Sequence, residues 1–137
     1  MLQVFKKLIL NTKSYEILNI TNYLENFIES SNFNNGLINI SILHTSCSLM
    51  IQENADQNVL KDITNFLKKI APEDNYFHDT EGPDDMPAHL KSLVTQTHIS
   101  LSFKNKRLIL GTWQGVFLIE HRAKGKTREI LFHLLGE

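Results

Sequence analysis

The chain has 137 residues with a formal net charge of −1, which allows one domain with one hydrophobic core. That charge argues against a nucleic-acid-binding protein, whose domains are usually strongly basic, and no apolar run reaches membrane-spanning length. A single cysteine, Cys47, excludes an internal disulfide or a cysteine-based zinc cluster, and residues 1–8 lack a signal peptide's apolar core, so a soluble cytoplasmic domain over 1–137 is expected.

In chain order, short strands are expected over 4–10 and 15–18 around an Asn-Thr-Lys-Ser turn. Thr21 reads as an N-cap, with Tyr23, Leu24, Phe27 and Ile28 at helical spacing until 32–36 stops the helix. Residues 37–44 alternate, placing Ile38, Ile40, Ile42 and His44 on one face of a strand, and 48–52 reads as the returning strand. Residues 56–70 form an amphipathic helix with Val59, Ile63, Phe66, Leu67 and Ile70 on one stripe, ended by Pro72. A short helix over 87–93 starts with Pro87 at its first position. Strands over 98–103, 107–121 and 128–135 complete the chain, with turns at 104–106 and 123–126. Ile38, Ile40, Ile42, Ile109 and Leu110 are expected in a buried sheet core. The last two strands are long and apolar, as if covered on both faces, which points to a homo-oligomer.

Three places concentrate chemistry. Between Lys69 and Lys91 lie six carboxylates and two histidines, His78 and His89, with no lysine or arginine. Such a run calls for a cation or a basic segment to neutralise it, and imidazole beside carboxylate is the donor set of zinc, manganese and related ions. A plain acidic surface loop is the competing reading. The spacing of His78 and His89 does not put them on one helix face, and Asp84 and Asp85 have the simpler role of favouring a helix start.

The second place is His44-Thr45-Ser46-Cys47-Ser48, where hydroxyls and turn amides suit phosphate oxygens, and Glu53-Asn54 follows. His44 continues an apolar face, so a core imidazole bonded to a backbone carbonyl is the plainer alternative. Ser46 or Cys47 as nucleophile lacks a flanking elbow motif. The third place is Gly111-Thr-Trp-Gln114-Gly115 with Glu120-His121-Arg122 and Lys124-Gly-Lys-Thr-Arg128. Glycine inside a strand marks a bulge or a close approach. From Lys104 to Arg128 there are seven basic residues and one acid, Glu120. Arg122 and Arg128 flank a turn and read as a bidentate anion clamp in the cleft of the histidines. Lys104, Lys106, Lys124 and Lys126 read as a solvated hairpin.

These motifs together, in this order and down to Leu135-Gly-Glu137, closely resemble the YjbQ-like family, whose members are often named secondary thiamine-phosphate synthase enzymes. The family pattern has alanine where this chain has Cys47, which speaks against a catalytic cysteine. The resemblance implies a compact α+β domain with a β-sandwich-like sheet core, assembled as a homotrimer. It implies a pocket lined by His44, His78 and His89, suited to a divalent metal (zinc, or magnesium or manganese) or to a small phosphorylated metabolite. The family name implies formation of thiamine phosphate from a pyrimidine diphosphate and a thiazole phosphate with release of pyrophosphate, described as a side activity.

Three functions follow from these readings. In a thiamine-phosphate synthase-type transferase, a metal with Arg122, Arg128 or Lys91 neutralises the leaving pyrophosphate. In a metal-dependent hydrolase of a phosphorylated metabolite, Glu53 or Asp85 manages protons. In a binding module, the ligand is captured without turnover. The candidate catalytic residues are Glu53, Asp85 and His121. The candidate phosphate ligands are Thr45, Ser46, Lys91, Gln114, Arg122 and Arg128.

Overall fold

Eight strands and three helices make up the computed structural model, which describes residues 2–137. Their order is β1 (Leu2–Asn11), β2 (Ile17–Asn19), α1 (Thr21–Ser30), β3 (Gly36–Ile42), β4 (Cys47–Glu53), α2 (Gln57–Ile70), α3 (Asp85–Val94), β5 (His98–Lys104), β6 (Arg107–Leu108), β7 (Gln114–Glu120) and β8 (Thr127–Gly136). One sheet runs β1-β8-β3-β5-β6 and the other β2-β7-β4, with antiparallel pairing throughout. The fold is α+β.

The core lies between the sheets and follows the two-residue period of the strands. Ile130, Phe132 and Leu134 of β8 stand opposite Ile42, Ile40 and Ile38 of β3, and all six are buried. Leu49 of β4, Val116 and Leu118 of β7, and Leu24 and Ile28 of α1 close the same cluster. Each such side chain contributes about 1.5–3 kcal/mol when fully removed from water.

Several elements differ from the sequence expectation. The strand expected over 107–121 is two strands in different sheets. After Leu108 the chain turns, with Gly111 N–H donating to Gln114 Oε1 at 2.7 Å and Gln114 N–H to Gly111 O at 3.0 Å. Leu110 packs against the core, but Ile109 is 57 % exposed and leaves the expected set. β4 does not return beside β3; it pairs with β7, so residues 43–46 carry the chain from one sheet to the other. Thr21 is the first residue of α1 rather than its cap. Its backbone N–H and hydroxyl both donate to Asn19 Oδ1, and its Oγ1 accepts from Val116 N–H, fastening α1 to β7. α2 is capped by Asp56, whose Oδ1 accepts from Asn58 N–H at 2.9 Å. Of its stripe only Leu67 is buried; Phe66 and Ile70 stay largely exposed. Lys106 is not a free surface lysine: its ammonium donates to Ser31 O at 2.6 Å and Glu29 O at 3.2 Å, at the carbonyl end of α1. Asn105 and Lys106 have φ of 51° and 62°, which builds the tight two-residue turn between β5 and β6.

Gly125 sits where β8 begins beside β1, and a Cβ there would lie 1.9 Å from Thr12 O, so only glycine fits. Among the described residues no helix is long and apolar enough to cross a membrane.

Candidate functional site: a His–Asp–His cluster on helix α3

Helix α3 starts at Asp85, with Pro87 at its third position rather than its first. Proline costs no hydrogen bond there, because the first-turn N–H groups have no intrahelical acceptor. Gly82 turns the chain into the helix with φ of 101°, and its carbonyl accepts from Asp85 N–H. Asp84 occupies the capping position, but its side chain caps nothing. Both carboxylates instead reach sideways.

Asp85 and His89 share one helix face at i, i+4 spacing, and His78 comes from the preceding segment. Asp85 Oδ2 lies 2.7 Å from His78 Nε2 and 3.2 Å from His89 Nε2. The two rings meet edge to face with centroids 5.3 Å apart. One donor atom from each of the three residues falls within 4.8 Å of the others. The Asp85 side chain is nearly buried, while His78 and His89 are 40 % and 32 % exposed, so the cluster opens outward on its imidazole side.

Arg122 braces this cluster from the basic hairpin. Its Nη1 lies 2.7 Å from Asp85 Oδ1, its Nε donates to Asp84 Oδ2 at 2.9 Å, and its Nη2 donates to Glu81 O at 2.8 Å. Asp84 Oδ2 also accepts from Ala123 N–H. Burial alone would raise the Asp85 carboxyl, but the His78 hydrogen bond, the Arg122 charge and His89 outweigh it and hold it below its ordinary value. Asp84 is held low in the same way: burial opposes, and the Ala123 and Arg122 hydrogen bonds prevail.

The other candidates fall elsewhere. His44 does not join the two histidines within the chain. Its Nε2 accepts from Glu129 N–H at 2.7 Å, so that lone pair is engaged with the backbone of β8. Burial and then Arg128 push its pKa down, which keeps the ring neutral. Arg128 does not face the histidine cleft either. It is buried against Glu120, with Nε donating to Oε2 at 2.7 Å and Nη2 to Oε1, and it also bonds the hydroxyl and carbonyl of Ser46. Thr12 Oγ1 donates to Glu120 Oε2 at 2.6 Å and Arg122 N–H to Glu120 Oε1 at 3.1 Å, which completes the network. The two arginines therefore form no open anion clamp: each is already engaged by carboxylates.

Ser46 is tied to Arg128, while Thr45 is exposed on the loop before β4. Glu53 and Gln114 pair at one end of the β4–β7 ladder, and Cys47 and Glu120 pair at the other. Six residues of strand separate the two ends, roughly 20 Å. Glu53 therefore cannot act with Asp85 or His121 of the same chain. Gln114 shapes the turn before β7. His121 is 2 % exposed, its Nε2 lies 2.8 Å from Ser48 Oγ, and Thr95 Oγ1 donates to the same hydroxyl at 2.6 Å. Burial first, then the Lys91 charge, lowers its pKa to about 4, so it is neutral near pH 7. Sequence reasoning missed Tyr15 and Lys68, which line a cavity with Lys91; Tyr15 looked like a strand residue and Lys68 like ordinary helix surface.

The fold recurs in known proteins. The family model described as UPF0047 protein YjbQ-like matches residues 6–137. The UPF0047 protein sll1880 of Synechocystis sp. is 44 % identical over 132 residues, covering 95 % of this chain and 90 % of the relative. The UPF0047 protein YjbQ of Escherichia coli O157:H7 is 40 % identical over 134 residues, covering 96 % and 97 %. The crystal structure of the conserved hypothetical protein TT1486 from Thermus thermophilus superposes with a TM-score of 0.84 at 35 % identity, covering 95 % of this chain and 99 % of that one. By motif, fold and descent, the chain belongs to the UPF0047 family of YjbQ-like proteins.

Proposed function

We propose that the chain is a divalent-metal-dependent enzyme acting on a small phosphorylated metabolite, with His78, Asp85 and His89 as the protein's ligands. The observation that carries this is the convergence of two imidazole nitrogens and one carboxylate oxygen within 4.8 Å. Two nitrogens and a carboxylate suit zinc or manganese, whereas magnesium prefers oxygen. Three protein ligands leave positions for substrate and water, as catalytic sites do and closed structural sites do not. A divalent ion held there would polarise a phosphoryl oxygen and acidify a bound water.

The chain's own groups prepare that site. Asp85 is ionised, and Arg122 holds its Oδ1 so that Oδ2 points between the two rings. Loading requires His78 and His89 to present lone pairs at Nε2, so any Nε2 proton shared with Asp85 is released. Arg122 compensates the carboxylates on the side away from the imidazoles and keeps the segment carrying Glu81 and Asp84 against the helix.

Both reactions weighed from the sequence remain within this reading. Transfer of the thiamine-phosphate synthase type requires positive charge on the departing pyrophosphate. With Arg122 and Arg128 engaged by acids, that charge falls to the ion. The same engagement favours hydrolysis of a single phosphate ester as the second reading, because one phosphate needs fewer cations than a diphosphate. In either case we propose a homotrimer: Phe5 and Ile9 lie on one face of the edge strand β1, and both are more than half exposed. A solution mass three times the 15.8 kDa chain mass is expected, and a stable monomer would refute the assembly.

The deciding experiment loads chelator-stripped protein with zinc or manganese. Pyrophosphate release requiring both thiamine precursors identifies the transferase; phosphate release from one ester identifies the hydrolase. Tight metal capture without either leaves a binding module, and failure to retain any divalent ion removes the reading.

A further inference from the structure

On the side of α3 away from His89, a cavity of about 300 Å³ opens between α3 and the end of α2. Asp84, Pro87 and Lys91 recur at three- and four-residue spacing and form its α3 wall, with Lys68 and Tyr15 opposite. A space of about 20 Å³, room for one water, continues inward from Lys91 to His121.

Lys91 is the unusual group. It is 6 % exposed, yet its ammonium makes no hydrogen bond or ion pair among the described residues. No fully enclosed side-chain nitrogen or oxygen is left unbonded there, so Lys91 Nζ meets the cavity rather than the packed interior. An ammonium facing a narrow cavity with no protein acceptor is only partly solvated, and a second cation beside it adds to the cost. The nitrogens of Lys91 and Lys68 each lie 5.3 Å from the centre of the Tyr15 ring. Cation–π attraction offsets part of this but supplies no hydrogen-bond acceptor. Tyr15 itself has φ of 48°, a left-handed backbone that a non-glycine residue holds only under constraint, here with its N–H bonded to Arg122 O at 3.0 Å. Of the acids near Lys91, Asp84 shares Arg122 with Asp85, Glu120 is held by Arg128, and Glu73 stands on the rim.

We propose that this cavity binds the phosphate of a small metabolite, with Lys91 and Lys68 as its cations and the Tyr15 hydroxyl as a further donor. It supplies the phosphate-holding charge that Arg122 and Arg128 do not. That the ligand is a substrate rests on the proposed function, but the site forms without the ion.

The test is calorimetric titration of the chelator-treated full chain with inorganic phosphate. Wild type is expected to bind, and Lys91→Met and Lys68→Gln are each expected to weaken binding about tenfold or more, as loss of a charged hydrogen bond does. Lys68 is exposed, so its variant remains informative if Lys91→Met folds poorly. Lys124→Gln, exposed and outside the cavity, is expected to bind phosphate as wild type does. Absence of phosphate binding, wild-type affinity in Lys68→Gln, or an equal loss in Lys124→Gln overturns the proposal. Failure of the metal reading shows separately, as phosphate binding without retention of zinc.

Discussion

Arg122 Nη1 lies 2.7 Å from Asp85 Oδ1, so the guanidinium that the sequence offers to a ligand is engaged in holding the carboxylate between two histidines. The acidic segment and the basic hairpin, which look like separate surfaces in the sequence, neutralise each other here. The same contact fixes which Asp85 oxygen is left for His78 and His89. A structural ion pair and the proposed metal-ligand set thus share one side chain.

Arg122→Lys tests that brace. Lysine keeps the charge but cannot reach Asp84, Asp85 and the Glu81 carbonyl together. A stability loss of about 1–3 kcal/mol is expected in urea unfolding, together with weaker zinc retention. Wild-type values for both would show that the fork holds nothing in place.

Asp85→Asn addresses the cluster itself. Asparagine keeps the shape and one oxygen but removes the charge that both imidazoles and Arg122 address. Zinc affinity, measured by chelator competition, should fall by more than the roughly 10–100-fold that losing a partner behind a ligand costs. His89→Ala should fall at least as far, and an unchanged affinity in both variants would remove the site.

Much of the architecture is legible in residue spacing. The alternation of Ile38, Ile40 and Ile42 gives the buried face of β3, and the helical spacing of Leu24, Phe27 and Ile28 gives α1. What spacing does not contain is the choice of partner. β4 pairs with β7 and not with β3, after residues 43–46 carry the chain across to the other sheet. The site divides in the same way. Asp85 and His89 are one helix turn apart and could be paired from sequence once the helix starts at Asp85 instead of Pro87. That His44 bonds Glu129 N–H, and that Arg128 turns inward to Glu120, depend on contacts 85 and 8 residues apart that no local pattern encodes.

The Arg128–Glu120 pair should behave as a buried unit. Glu120 is 1 % and Arg128 4 % exposed, and the pair is satisfied through Thr12, Ser46, the Arg122 backbone N–H and each other. Removing one partner, as in Arg128→Met, leaves an unpaired buried carboxylate and should cost about 3–5 kcal/mol. The double variant with Glu120→Gln should cost less than the sum of the two single changes, because the orphaned charge is gone. Additive losses in denaturant unfolding would mean that the two residues do not act together.

His121 gives the fold a pH dependence with a definite sign. Its folded pKa of about 4 lies below the ordinary 6.5, so the unfolded chain takes up the proton first as pH falls. Stability should therefore decline from about pH 6.5 toward about 4 and gain nothing above that window, with roughly 3 kcal/mol at stake for a group this buried. His44, also lowered, adds to the same decline. Asp84, Asp85 and Glu120 act in a different range: their depressed pKa values stabilise the fold above the ordinary carboxylate range, and that stability is lost only as pH falls through the lower folded values. His121→Asn separates the two windows, since asparagine can still bond Ser48 Oγ but cannot titrate. Urea unfolding across the acidic range should show most of the decline between about pH 6.5 and 4 removed in this variant, with the steeper loss below about pH 4 kept. If the variant declines as wild type does through the upper window, His121 is not the group that sets it.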